Sequence, residues 1–165
     1  MNIKVCKTRA DAKLPERAHS TDAGADLFYV GDRAVTLSPG VSNLFDTGIK
    51  ISFPAGYVAE VKNRSGMAAK KQLIVGSCII DASYTGSVFV NLHNIGKNAQ
   101  DIHPGDKIAQ LVVYPIQLPT FSEISQEDYE SATIDSERGE GCLGSTDNKL
   151  AAFGVDQIVS SKDWE

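Results

Sequence analysis

In "GSCIIDASYTGSVFV", residues 76 to 90, Asp81 follows Ile79 and Ile80 and stands three residues before Tyr84, in a stretch with the rhythm of strand, turn, strand. Burying an unpaired carboxylate costs several kcal/mol, so a sequence that sets one against an apolar run has a use for it. Read from the position alone, it suits an Asp that bonds the backbone of a hairpin turn. Three polar clusters add a second kind of chemistry: "STDAGADLF" (20 to 28), "NRSGMAAK" (63 to 70) and "RGEGCLGSTD" (138 to 147). Glycine lets backbone N–H groups approach an anion, Ser and Thr hydroxyls donate, and Arg donates in a charged fork, a combination that suits a polyphosphate. None has the spacing of a P-loop or a dinucleotide fingerprint, and each alone also reads as a turn or tail.

These clusters are expected outside the strands, which the apolar segments supply: "NIKVC", "AVTLSPG", "LFDTGIKISFPAG", "YVAEVKN", "LIVGSCIID", "SVFVNLHN" and "KIAQLVVYPI". In "SVFVNLHN", Val88, Val90 and Leu92 alternate with Phe89, Asn91 and His93, the period of a two-faced strand. Short strands punctuated by Gly, Pro, Asn and Asp predict an all-β sandwich, barrel or jelly roll. At most one short helix is expected, "SGMAAKKQL", opened by Ser65. After Pro119 the chain reads as an acidic connector and then a mobile Gly/Ser/Thr-rich segment; residues 150 to 165 regain some apolar character.

The chain of 165 residues suits one domain, and its net charge of −5 argues against a nucleic-acid surface. Cys6, Cys78 and Cys142 show no metal or disulfide spacing, and no signal peptide or membrane-length apolar run is present, so a cytoplasmic setting with free thiols is expected. His19, His93 and His103 are scattered and read as surface or satisfied strand residues rather than catalytic bases.

Taken in order, "TDAGADLF", "NRSGMAAK", "IIDASYTG", "GDKIAQLVV" and "RGEGCLGST" resemble the five motifs of the trimeric dUTPase family, over most of the chain. The resemblance implies a jelly-roll-like β subunit spanning residues 1–137, a mobile phosphate-covering motif at 138–149 and a C-terminal extension at 150–165. It also implies a homotrimer that hydrolyses dUTP to dUMP and pyrophosphate with Mg²⁺, each site drawing its first, second and fourth motifs from one chain, the third from another and the last from a third.

By the same resemblance Asp81 orients the water that attacks the α-phosphorus, and the Tyr84 ring packs on the deoxyribose and excludes a 2′-hydroxyl. The hairpin from 78 to 89, with Cys78 and Ile80, holds uracil through backbone groups. Arg64, Ser65, Gly66, Gln110, Arg138, Ser145 and Thr146 bind the triphosphate, Gly144 also meets the substrate, and Asp26 meets the metal through water. Leu143 stands where the family has an aromatic ring over the base, which predicts weaker stacking. Cys78 replaces a common Gly, Thr85 a frequent Arg, and Asp147 adds a negative charge near the phosphates. Two rivals share the fold: a dCTP deaminase-like or bifunctional enzyme, and a nucleotide-sensing regulatory protein. The deaminase needs a glutamate where "SVFVNLHN" has Asn91, and an amide cannot shuttle a proton.

Overall fold

The computed structural model describes residues 1–132. Arg138, Cys142, Leu143, Gly144, Ser145, Thr146 and Asp147, together with the extension from 150 to 165, lie outside the described residues. Eleven strands and two helices are described: β1 (Lys4–Lys7), β2 (Ala25–Phe28), β3 (Val35–Leu37), β4 (Ser42–Asp46), β5 (Ile49–Ser52), β6 (Tyr57–Lys62), α1 (Ser65–Lys71), β7 (Leu73–Val75), β8 (Ile79–Asp81), β9 (Phe89–Asn94), β10 (Gln100–Ile102), β11 (Lys107–Pro115) and α2 (Gln126–Ala132). The β strands belong to a unit that ends at Pro119, and a second unit begins at Thr120.

All pairings are antiparallel, in four sheets ordered β1-β5, β10-β3, β2-β11-β6-β8 and β4-β9-β7. The alternation read in residues 88 to 93 holds: Val88, Val90 and Leu92 are buried, while Phe89, Asn91 and His93 are not. They join Leu27, Phe45, Ile49, Leu73, Ile102 and Ile108 in one apolar core, where the Tyr29 and Phe45 rings meet edge to face at 5.1 Å. The corner between β4 and β5 turns on Gly48 at φ +66°, a conformation that other residues rarely adopt, with its N–H donating to Asp46 Oδ1 at 2.8 Å.

Two expectations are corrected. The first polar cluster does not lie wholly outside the strands: Ala25–Phe28 form β2, buried at every position, because β2 packs its apolar residues into the core beside β11. There are also two short helices rather than at most one. α1 forms where expected, although Arg64 rather than Ser65 occupies its extended N-cap position, and Gln72 ends it in a left-handed conformation at φ 54°. α2 arises from a reciprocal cap that the acidic composition hid. The Asp128 N–H donates to Ser125 Oγ at 3.1 Å and the Ser125 hydroxyl donates to Asp128 Oδ2 at 2.7 Å, with Glu127 and Asp128 in the first turn. Among the described residues no helix is long and apolar enough to cross a membrane.

Candidate active site

The β2-β11-β6-β8 sheet turns one face to the core and carries the chemistry on the other. Register pairs Asp26 with Gln110 and Gln110 with Lys62, and further along it pairs Glu60 with Ile79 and Val58 with Asp81. Partners across an antiparallel ladder point to the same side, so Asp26, Gln110, Lys62, Glu60 and Asp81 share the outer face.

Asp26 is buried on that face at 9% exposure. Its Oδ1 accepts from Arg64 Nε at 2.7 Å, its Oδ2 pairs with Lys107 Nζ at 2.9 Å, and Arg64 donates again to the Lys107 carbonyl at 3.1 Å. Lys107 and Gln110 are three residues apart and in a regular strand would face opposite ways. A register shift between Lys107 and Ala109 brings both to the outer face and sends Ile108 into the core. Gln110 Nε2 donates to the Asn63 carbonyl at 2.8 Å, and the Asn63 side chain accepts from the Val75 N–H at 2.6 Å. A Cβ on Gly24 would lie 2.0 Å from Gln110 Oε1, so the glycine of the first motif makes room for the glutamine of the fourth. The structure thus brings Asp26, Arg64 and Gln110 together, and adds Lys107 and Asn63, which sequence reading missed. Asn63 had a signal in its place beside Arg64; Lys107 depends on the bulge, which leaves no local mark.

The third motif builds a separate place. Asp81 ends β8, and the Tyr84 N–H donates to the Asp81 carbonyl at 3.0 Å to close the turn. The Tyr84 hydroxyl donates to the Ser87 carbonyl at 3.0 Å, which fixes the ring over the hairpin. A cleft of about 260 Å³ opens here, lined among others by Cys78, Ile80, Asp81, Tyr84, Phe89 and Asn91. The Cys78 carbonyl accepts from the Val61 N–H at 2.8 Å, which ties the cleft floor to β6. Asp81 is exposed, contrary to the expectation of a carboxylate buried beside its apolar run, because only Ile80 of β8 turns toward the core. Among the described residues the Asp81 side chain has no hydrogen-bond or ion-pair partner.

Between the two places, Glu60 is buried, paired with Lys62 and accepting from the Tyr114 hydroxyl. The Lys62 ammonium, and after it the Tyr114 hydroxyl, hold the Glu60 carboxyl below its usual range. Glu60 in turn raises both Lys62 and Tyr114. The distance the sheet imposes is decisive. Asp26 and Asp81 are separated by three strand spacings and by four residues along β6, roughly 14 Å by 13 Å, or about 19 Å overall.

Metal-binding chemistry is limited by the same contacts. Among the described residues no three His, Cys, Asp or Glu side chains cluster to hold a metal, and both Asp26 oxygens are already bonded to cations. The residues therefore suit Mg²⁺ only as an ion carried on phosphates and met through its water shell.

The dUTPase family model matches residues 10–147. A deoxyuridine 5'-triphosphate nucleotidohydrolase of Solibacter usitatus is 39% identical over 150 residues, covering 88% of this chain and 96% of that one. The enzyme of Rhodococcus erythropolis is 40% identical over 149 residues, with 88% and 86% covered. Among solved structures, the Staphylococcus bacteriophage 80alpha dUTPase with dUpNHpp superposes with a TM-score of 0.77 at 29% identity, over 87% of this chain and 97% of that one. That work assigns phage dUTPases control over the transfer of virulence genes by a G protein-like mechanism. A variant of the phage phi11 dUTPase, with a TM-score of 0.70 at 29% identity over 76% of this chain and 98% of that one, shows a structural Mg(II) ion. With the family match spanning four of the five motifs in the described fold and reaching through the fifth, this chain belongs to the dUTPase family.

Proposed function

We propose that the chain hydrolyses dUTP to dUMP and pyrophosphate, and that Asp81 orients the water that attacks the α-phosphorus. The observation that carries this reading is the unpartnered Asp81 carboxylate at the rim of a cleft whose roof is the fixed Tyr84 ring. A general base needs its lone pairs free for the water, and among the described residues nothing bonds those of Asp81. Tyr84, held by Ser87, presents a rigid wall to a sugar and leaves no space for a 2′-hydroxyl. Uracil lies in the hairpin cleft against Cys78 and Ile80, read by backbone N–H and C=O groups; a base that leaves those groups unpaired is rejected.

Arg64, Ser65, Gly66 and Gln110 take the triphosphate. A Cβ on Gly66 would meet nothing within 4 Å, so space for a phosphate is open there in the chain itself. Arg138, Gly144, Ser145 and Thr146 complete the phosphate cover, with Leu143 over the base. Mg²⁺ arrives with the phosphates and neutralises their charge, and Asp26 meets its waters while steering Arg64 and Lys107. Because about 19 Å separates Asp81 from Asp26 within one chain, the two belong to different sites. A homotrimer in which one chain's hairpin faces another's Arg64 accounts for both. The free thiols of Cys6 and Cys78 support a reducing compartment.

Deamination is disfavoured by Asn91, whose amide accepts from His93 and cannot take up and release a proton as a carboxylate does. A second reading, a nucleotide-sensing regulator that keeps the same site, is favoured by the role of the phage 80alpha relative. The test is pyrophosphate release from dUTP, dCTP, dTTP and UTP with Mg²⁺, for the wild type and for Asp81→Asn. Release from dUTP alone, lost in the variant, supports hydrolysis; tight binding without release by the wild type moves the regulatory reading forward.

A further inference from the structure

Among the described residues Asn91 is the one amide side chain lining the hairpin cleft, and its neighbours constrain which of its atoms a ligand meets. Asn91 Oδ1 lies 2.7 Å from His93 Nε2 on the same outer row of β9. The pair fits closely beneath the backbone of residue 76: a Cβ on Gly76 would sit 2.2 Å from His93 Nε2 and 2.4 Å from Asn91 Oδ1. The Gly76 N–H donates to the Asn91 carbonyl at 2.9 Å and holds that backbone in place. With its oxygen taken by the imidazole N–H, the Asn91 amide offers only N–H groups to anything else. One of these reaches the Asn43 carbonyl at a long 3.3 Å, and the other remains for the cleft. An amide oxygen only accepts, so in this contact Nε2 is the donor.

Resting on the reading of the cleft as a uracil site, we propose that Asn91 is a specificity-determining residue that donates to the 4-keto oxygen of the pyrimidine, and that His93 positions it. A keto oxygen accepts this N–H. The 4-amino group of cytosine presents a second donor to it, and leaves both unpaired. Thymine carries the same keto group, so Asn91 separates keto from amino bases and does nothing against a 5-methyl group.

The experiment is calorimetric titration with dUMP, dCMP and dTMP, beside steady-state rates on the three triphosphates, for the wild type, Asn91→Asp, His93→Phe and His93→Gln. Asn91→Asp keeps the His93 contact and turns the donor into an acceptor. It is expected to lower the dUMP over dCMP preference about tenfold or more and to leave the dUMP over dTMP ratio unchanged. His93→Phe should erode the same preference by a smaller factor, and His93→Gln, which can still donate to Asn91 Oδ1, should restore it. Binding needs no turnover, so the outcomes separate. A wild type that ignores dUMP overturns the uracil-site reading and this inference with it. A wild type that prefers dUMP, with an unchanged preference in Asn91→Asp, overturns this inference alone.

Discussion

The two ends of the outer sheet face solve different problems. Around Asp26 three polar side chains have partners within the chain: two cations for the carboxylate, a carbonyl for Gln110, an N–H for Asn63. Around Asp81 the backbone is tied by the Tyr84 turn, while the carboxylate itself is exposed and unpartnered among the described residues. The first region, which the proposed function assigns to the triphosphate, is a set of groups that also stabilise the fold. The second holds a reactive group in position without using it for stability. Substitutions in the two regions should therefore separate activity from stability in opposite ways.

The largest separation is expected at Asp81. Asp81→Asn should lower turnover by about 10²–10⁴-fold, the range for loss of a general base, with an unchanged urea midpoint, since no side-chain contact among the described residues is lost. A parallel fall in stability would place Asp81 with the structural group instead. At Asp26 the pattern should reverse. Asp26→Asn removes the charge that Arg64 and Lys107 share, and urea titration should show a loss of about 2 kcal/mol, together with a raised Michaelis constant as Arg64 loses its anchor.

Gly24 and Gly66 sharpen the contrast within the Asp26 region. Gly24→Ala drives a methyl into Gln110 Oε1, so the Gln110–Asn63 bond should break, at about 1 kcal/mol and a severalfold rise in Michaelis constant. Gly66→Ala points into open space and should leave the melting temperature unchanged while weakening substrate binding. An equal loss of stability in both would show that the region is not shaped by these close approaches.

The smallest effect concerns Glu60, midway between the regions. Its pKa is lower folded than unfolded, so its stabilisation is present above the unfolded value near 4.5 and is lost as pH falls through the folded one. Glu60→Gln should therefore flatten the decline of stability on the acid side, read as urea midpoints between about pH 5 and pH 3. A decline as steep as the wild type's would assign it to other carboxylates.

Much of the Asp26 region was legible because its motifs are short and sit on short elements. The alternation in β9 and the α1 segment both have local signatures, and the resemblance gathered Asp26, Arg64, Gln110, Asp81 and Tyr84 into one set. What escaped depends on pairing between distant strands. Lys107 reaches Asp26 only through the β11 bulge, and the exposure of Asp81 follows from β8 lying at the sheet edge. The His93 pairing fitted the expectation of a satisfied strand histidine, yet its partner, Asn91, was visible only once Gly76 was seen packed over both. α2 was missed for a different reason: the Ser125 and Asp128 cap is a local signal, outweighed by the acidic, aperiodic sequence around it.

The central claim is that Asp81 and Arg64 of one chain serve different sites. Mixing Asp81→Asn with Arg64→Ala, each inactive alone, after dissociation and reassembly tests it directly through pyrophosphate release from dUTP. Shared sites predict that activity returns, because some sites then combine an intact Asp81 from one chain with an intact Arg64 from another. A mixture as inactive as its components, with mixed oligomers present by native mass spectrometry, would contradict the account and place both residues in one chain's site.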